Sequence, residues 1–177
     1  MINFDQILNP GDIDNGIVNV VVEIPTGSNN KIEWNRDEEI MQLDRIESMA
    51  EPANYGFIPH TLGGDGDELD VIIINDKPLP TETCLKARVI GVMYLNDEGD
   101  KDDKIIVVPE GASGIFADII NISDISKEVI NKITYHFNNY KSSQKSEETT
   151  VTGWGNSEDA KKIIINSIKL WNNSENI

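Results

Sequence analysis

Four carboxylates and two glycines crowd into the seven residues Gly64-Asp65-Gly66-Asp67-Glu68-Leu69-Asp70, directly ahead of the apolar run VIIIN. Carboxylates brought that close repel one another, so either a pKa rises or a cation is recruited. Oxygen-only donors select hard cations such as Mg²⁺, Mn²⁺ or Ca²⁺. The spacing is not that of an EF-hand. Counted from Asp65, positions 5, 6 and 12 are Leu69, Asp70 and Asp76, where the calcium loop needs an oxygen ligand, a glycine and a glutamate. A nonapeptide β-helix repeat would accept Gly63, Gly64, Gly66 and Leu69, but Glu68 replaces its aspartate and the repeat occurs once, whereas a solenoid needs several copies. What remains is a D-x-D-x-x-D run whose last member, Asp70, opens a buried strand. On spacing alone, metal binding and a solvated acidic turn stand level.

A second acidic stretch, NDEGDKDDK at 96–104, again lies between two apolar runs and offers Asp97, Asp102 and Asp103, with Lys104 opening the next strand. Alone it reads as a hairpin turn. Glu23 interrupts the apolar run VNVVVEIP, which aims it at a cavity unless the strand is an edge strand with a polar face. The cations complement the acids. Lys31 and Glu33 alternate with Ile32 and Trp34, placing both charges on one strand face, and Arg45 interrupts IMQLDRI in the same way. Tyr140 and Lys141 stand together near the end of a helical pattern, where a cation also suits the helix dipole.

The chain must supply elements that hold these groups in place. Its 177 residues suit one domain, 1–177, around one core. No apolar stretch approaches the roughly 20 residues of a membrane span, and no basic-then-apolar leader opens the sequence, so a soluble, intracellular protein with no membrane partner is expected. Cys84 is the sole cysteine, and His60 and His136 are the two histidines, which leaves neither a disulfide scaffold nor a Cys/His zinc site. With 15 Lys and Arg against 31 Asp and Glu, the net charge is −16, the wrong sign for a nucleic-acid partner.

Strand-like runs fill the first two thirds, at 17–25, 31–35, 40–46, 55–58, 69–75, 84–95 and 104–109. The Thr26-Gly27-Ser28-Asn29-Asn30 turn between the first two predicts a hairpin. Such short, evenly spaced runs predict a β-barrel or sandwich. Two helices follow. The first starts after Asp124 or Ser126, with Val129, Ile130, Ile133 and Phe137 on one face. The second starts near Asn156 or Ser157, with Ala160, Ile164, Ile168 and Trp171. The polar stretch 141–150 predicts a mobile loop.

Taken together, the chain from about Ile17 to Trp171 resembles the soluble family I inorganic pyrophosphatases. Its signature D-x-D-x-x-D stands as DGDELDV at 65–71, preceded by NYGFIPHT at 54–61. EIP at 23–25, KIEW at 31–34, LDR at 43–45, DEGDKDDK at 97–104, HFNNYK at 136–141 and TGWG at 152–155 follow the family's order and approximate spacing. The resemblance implies an α+β fold, mainly β: an OB-like five-stranded β-barrel with two flanking α-helices. It implies hydrolysis of inorganic pyrophosphate to two phosphates by a metal-activated water, with several Mg²⁺ ions in the barrel mouth, Mn²⁺ or other hard divalent cations as substitutes, and pyrophosphate as the small-molecule substrate. A cytoplasmic homo-oligomer, with a hexamer favoured, is implied as well.

By motif position, Asp65, Asp70 and Asp102 would hold the first metal, Asp70 reaching a second. Glu23, Asp97 and Asp102 match acids that hold metals arriving with the substrate. Lys31, Arg45, Tyr55, Lys104, Tyr140 and Lys141 match the phosphate contacts, and Asp67 matches the proton acceptor. Glu68 is expected to point away from the cluster. The sequence departs from the family at Glu51, where a tyrosine is usual, at 142–150, which lacks the usual Gly-Lys-Trp and carries Glu147 and Glu148, and at 111–118, which lacks basic residues. Readings from other classes are a metal-binding module without turnover, which would not need the four cations, and an OB-type oligonucleotide binder, which would need basic strands and stacking aromatics.

Overall fold

Strand runs of Val and Ile without polar alternation are stable only when both faces are covered, and here they are. The computed structural model describes residues 3–141 and 148–174. In chain order its elements are α1 (Phe4–Ile7), β1 (Gly11–Asp12), β2 (Ile17–Ile24), β3 (Asn30–Asn35), β4 (Ile40–Ile46), β5 (Asn54–Ile58), β6 (Leu69–Ile73), β7 (Cys84–Asp97), β8 (Asp100–Lys101), β9 (Lys104–Pro109), α2 (Lys127–Asn139), β10 (Thr149–Asn156) and α3 (Ser157–Ser174). Most of the stretch expected to form a loop at 141–150, namely 142–147, lies outside the described residues.

Five strands close on themselves. β2 pairs β5, β5 pairs β6, β6 runs parallel to β9, β9 pairs β7, and β7 returns to β2. The result is the expected OB-like barrel of five strands, whose closure removes free edges. One apolar set draws on all five strands and fills the barrel, with Ala160 and Ile164 of α3 packed against it. Val20, Ile58, Val71 and Ile105 are fully buried there, and each such side chain contributes about 1.5–3 kcal/mol. The outer wall is covered in two places. Ile133 and Phe137 of α2 pack over Ile72, Ile106 and Val108, and Phe4 of α1 and Trp34 of β3 pack over Val21 and Phe57. At Gly56 an added Cβ would lie 1.9 Å from the Val21 carbonyl oxygen, so β5 approaches β2 closely only because no side chain stands there.

The helices begin where their caps predict. Ser126, rather than Asp124, accepts from the Val129 N–H and opens α2, while Asp124 closes a capping box with Asn121 on a short 3-10 turn. Asn156 and Asp159 bond each other's backbone N–H reciprocally at the start of α3.

Two expectations about the sheet need correction. The runs 17–25 and 31–35 do not form a hairpin: β3 pairs β4 as a separate two-stranded sheet, because both edges of β2 are taken by β5 and β7. The turn between them folds back instead, with the Gly27 N–H donating to the Glu51 carbonyl. β10, unforeseen as a strand, pairs the second half of β7; Gly153 and Gly155 mask it, because glycine weakens a strand signal.

Candidate active site

Asp70 is the second residue of β6 and Lys104 the first of β9. In register, Tyr55 lies beside Ile72 and Ile72 beside Ile106, so with a side-chain period of two, Tyr55, Asp70 and Lys104 share the outward face on which α2 packs. The site therefore sits on the barrel's outer wall, between the β3–β4 sheet and the end of α2, rather than in its mouth. There a cavity of about 380 Å³ is lined by all twelve residues singled out above: Glu23, Lys31, Arg45, Tyr55, Asp65, Asp67, Asp70, Asp97, Asp102, Lys104, Tyr140 and Lys141. Asp103 is not among them. Its carboxylate accepts from the Leu95 N–H at 3.2 Å and holds the turn.

Local structure explains each placement. The β7–β8 turn that carries Asp97 and leads to Asp102 has Glu98 and Gly99 as its central pair, with φ of 53° and 103°, the left-handed backbone that a tight two-residue hairpin demands. The Asn96 side chain accepts from the Gly99 N–H at 2.9 Å and fixes it. The acidic loop is closed at its base, where the Gly63 N–H donates to the Asp67 carbonyl at 2.7 Å and the Leu69 N–H donates to the Thr61 hydroxyl at 2.9 Å. Asp65 and Asp67 are thereby left exposed at its tip. Tyr140 is the C-cap of α2, stacked on His136 at 5.5 Å.

Every cation of the site is seated on carboxylates. Lys104, with 4% of its side chain exposed, puts Nζ 2.5 Å from both Asp70 Oδ2 and Asp102 Oδ1. Lys141 reaches Asp97 at 2.7 Å, Lys31 reaches Glu33 at 2.6 Å, and Arg45 forks between Asp44 and Glu47 at 2.6 Å each. Glu23 is buried and accepts from the Trp34 N–H at 2.7 Å. Burial first, and then Asp70, lifts its carboxyl well above the usual range. The same order of causes raises Asp67, with Asp65 ahead of Asp70. Asp102 is raised by burial, which Lys104 partly offsets. Burial would lower Lys104, but Asp70 and Asp102 outweigh it and keep the ammonium charged. Burial also lifts Tyr55, reinforced by Asp70 and Asp102, and Tyr140, where Lys104 partly opposes the rise. Both phenols therefore remain protonated donors at neutral pH.

Four further wall carboxylates, Glu33, Glu47, Glu51 and Glu68, stand outside the set of candidate site residues drawn from sequence. Glu33 and Glu47 stand two residues from Lys31 and Arg45, a strand-face signal that could have found them. Glu51 lies 3.6 Å from the buried His136 Nε2, and no local pattern announces that contact. Glu68 corrects an expectation. Rather than pointing away from the cluster, it lines the same cavity, buried and bound to Arg36 at 2.7 Å.

Ten carboxylates thus face four cations across one cavity, an excess relieved in part by the raised carboxyls of Glu23, Asp67 and Asp102 and further relieved by any cation that binds. Among the described residues, no three acidic, imidazole or thiol groups stand ready to hold one ion as they are, since Lys104 occupies the space between Asp70 and Asp102. The donor set nevertheless fits hard divalent cations, being all oxygen and in excess, with Asp65 and Asp67 exposed and able to turn. Among the described residues no helix is long and apolar enough to cross a membrane.

Comparison with known proteins bears on the whole chain. Residues 20–172 match the family described as inorganic pyrophosphatase. A protein of that name from Neisseria meningitidis serogroup B is 52% identical over 97% of this chain and 98% of its own. One from Haemophilus influenzae is 52% identical over 97% and 99%. Among solved structures, an inorganic pyrophosphatase from Neisseria gonorrhoeae superposes with a TM-score of 0.92 at 53% identity, covering 96% of this chain and 99% of that one. One from Thermus thermophilus gives 0.87 at 32% identity, covering 93% and 97%.

Proposed function

The chain belongs to the inorganic pyrophosphatase family and is an enzyme that hydrolyses pyrophosphate, and we propose that it does so with several Mg²⁺ ions held by the acids of the outer-wall cavity. The observation that carries this reading is the convergence of twelve residues from separate segments on one cavity. Asp65, Asp70 and Asp102 would hold the first ion, and Glu23, Asp97 and Asp102 those that arrive with substrate. When bound, such ions neutralise the phosphates and lower the pKa of a coordinated water.

The rest of the work falls to side chains. Lys31, Arg45, Lys104 and Lys141 bind and orient the two phosphoryl groups, each held ready by a carboxylate so that little reorganisation is needed as charge builds on the departing phosphate. Tyr55 and Tyr140 donate hydrogen bonds from their hydroxyls to phosphate oxygens. Asp67 takes the proton of the attacking water, and its raised pKa suits a proton acceptor better than an ordinary carboxylate would. A substrate arriving as its metal complex would reconcile a tetra-anion with a chain of net charge −16.

In the same reading the whole chain is one domain, located in the cytoplasm and assembled as a homo-oligomer, with a hexamer favoured. The test of the activity is phosphate release from pyrophosphate with Mg²⁺ and after Mg²⁺ is replaced by Ca²⁺, whose longer and looser coordination should hold substrate in poor geometry. Turnover with Mg²⁺ and inhibition by Ca²⁺ are expected. Equal rates with the two metals would contradict the reading.

A further inference from the structure

Glu68 follows Asp67 directly, yet its partner lies 32 residues back in the chain. Arg36, in the turn between β3 and β4, donates from Nε and Nη2 to Glu68 Oε1 at 2.8 and 2.7 Å. The guanidinium also lies 4.6 Å over the ring of Trp171 in α3. The His60 ring stacks on that same indole at 5.3 Å, leaves the end of β5 with φ of 56°, and bonds the Asp5 carbonyl through Nε2. The Asp5 carboxylate stands 3.9 Å from Arg36 Nε. One guanidinium therefore ties together the β3–β4 turn, α1, α3 and the acidic loop.

The other anchors of that loop hold its base. Leu62 exchanges hydrogen bonds with Ser167 of α3, and Thr61 receives the Leu69 N–H. Between them residues 64–67 are exposed, and Glu68 is the first buried residue after the tip. Its direction sets the direction in which the chain leaves Asp67. A planar fork already stacked on an aromatic ring fixes its partner with little entropy left to lose. We propose that Arg36 is a positioning residue of the hydrolytic site, acting through Glu68 to aim the Asp65–Asp67 tip of the loop into the cavity.

The inference rests on the pyrophosphatase reading, so its test carries the unaltered protein in the same assay. If that protein releases no phosphate, the activity itself fails; if it is active, the variants test Arg36. At saturating Mg²⁺, Arg36→Met is expected to lower kcat about tenfold per folded molecule, the scale of a slightly misplaced reacting group. KM should stay within about twofold, because Lys31, Arg45, Lys104 and Lys141 are untouched. Arg36→Lys should recover part of kcat, since it keeps the charge but not the fork or the stack. Glu68→Gln should lose less than Arg36→Met, and the double variant no more than Arg36→Met alone, because both act through one contact. If Arg36→Met does not fold, Arg36→Lys and Glu68→Gln carry the test. A lowered Tm with kcat within about twofold of the unaltered protein, or losses that multiply in the double variant, would overturn the proposal.

Discussion

Replacing Lys104 with Met would delete the charge at the centre of the site while nearly preserving its shape. Lys104 Nζ lies 2.5 Å from both Asp70 and Asp102, with 4% of its own side chain exposed against 26% and 24% of theirs. Removing one partner of a buried pair costs about 3–5 kcal/mol, because the remaining charge is left uncompensated. The two carboxylates keep some contact with water, so the lower end applies, about 3 kcal/mol. For a chain of this length that is a fall of roughly 6–12 °C in Tm. Adding Mg²⁺ should restore much of it, since a cation that binds only the folded state contributes about 2.7 kcal/mol at a hundredfold excess over its Kd. The assay is thermal unfolding in chelator and in Mg²⁺ for Lys104→Met, Asp102→Asn and the pair. The pair should lose less than the two singles together, by about 1 kcal/mol or more. A Lys104→Met protein within about 2 °C of the unaltered Tm in chelator, or strict additivity in the pair, would show that Lys104 does not neutralise Asp70 and Asp102.

Arg45→Lys keeps the charge but loses the planar fork now set between Asp44 and Glu47, and kcat/KM should fall about tenfold or more, the worth of one charge-assisted hydrogen bond; a fall in Tm alone would make Arg45 structural. Asp70→Asn should shift the Mg²⁺ dependence of activity to higher concentration, and added Mg²⁺ should rescue it only in part. Asp67→Asn should leave that dependence in place and lower kcat by about 10²–10⁴. It should also abolish the acidic limb of the pH profile, because the raised carboxyl of Asp67 must be deprotonated to accept. Glu23 predicts a pH effect on stability in chelator. Its folded carboxyl is raised while the unfolded one titrates near about 4.3, so the folded chain holds the extra proton and stability falls as pH rises from about 4.3 through the folded pKa. Tm measured between acid and neutral pH should therefore decline more gently in Glu23→Gln, and an unchanged slope would count against it.

What could be read in advance followed from residues whose neighbours in sequence are also their neighbours in space. The five barrel strands are legible because burial on both faces makes VNVVVEIP, VIIIN and KIIVVP almost wholly apolar. The charged residues that break those runs, Glu23, Asp70 and Lys104, stand out for the same reason. Both helices follow from their caps and from one apolar face each. Pairing is less legible. The 26–30 turn looks like a hairpin loop until β5 and β7 are seen to occupy both edges of β2. The Arg36–Glu68 and Glu51–His136 contacts span 32 and 85 residues of chain, and no local periodicity reports such a distance. The local seats, Lys31 on Glu33 and Arg45 on Asp44 and Glu47, lie within two residues of each cation, whereas Lys104 on Asp70 and Lys141 on Asp97 span 34 and 44 residues and are products of the closed barrel and of the helix laid against its wall.

Whether carboxylates of this cavity hold the cations on which pyrophosphate hydrolysis depends is decided by one titration. Phosphate release from pyrophosphate is followed against Mg²⁺ concentration, starting from excess chelator, for the unaltered protein and for Asp70→Asn side by side. No release is expected in chelator, then a rise to saturation as Mg²⁺ is added, with the Asp70→Asn curve displaced to higher Mg²⁺ and ending on a lower plateau. Full activity in chelator, or superimposable curves for the two proteins, would contradict that expectation.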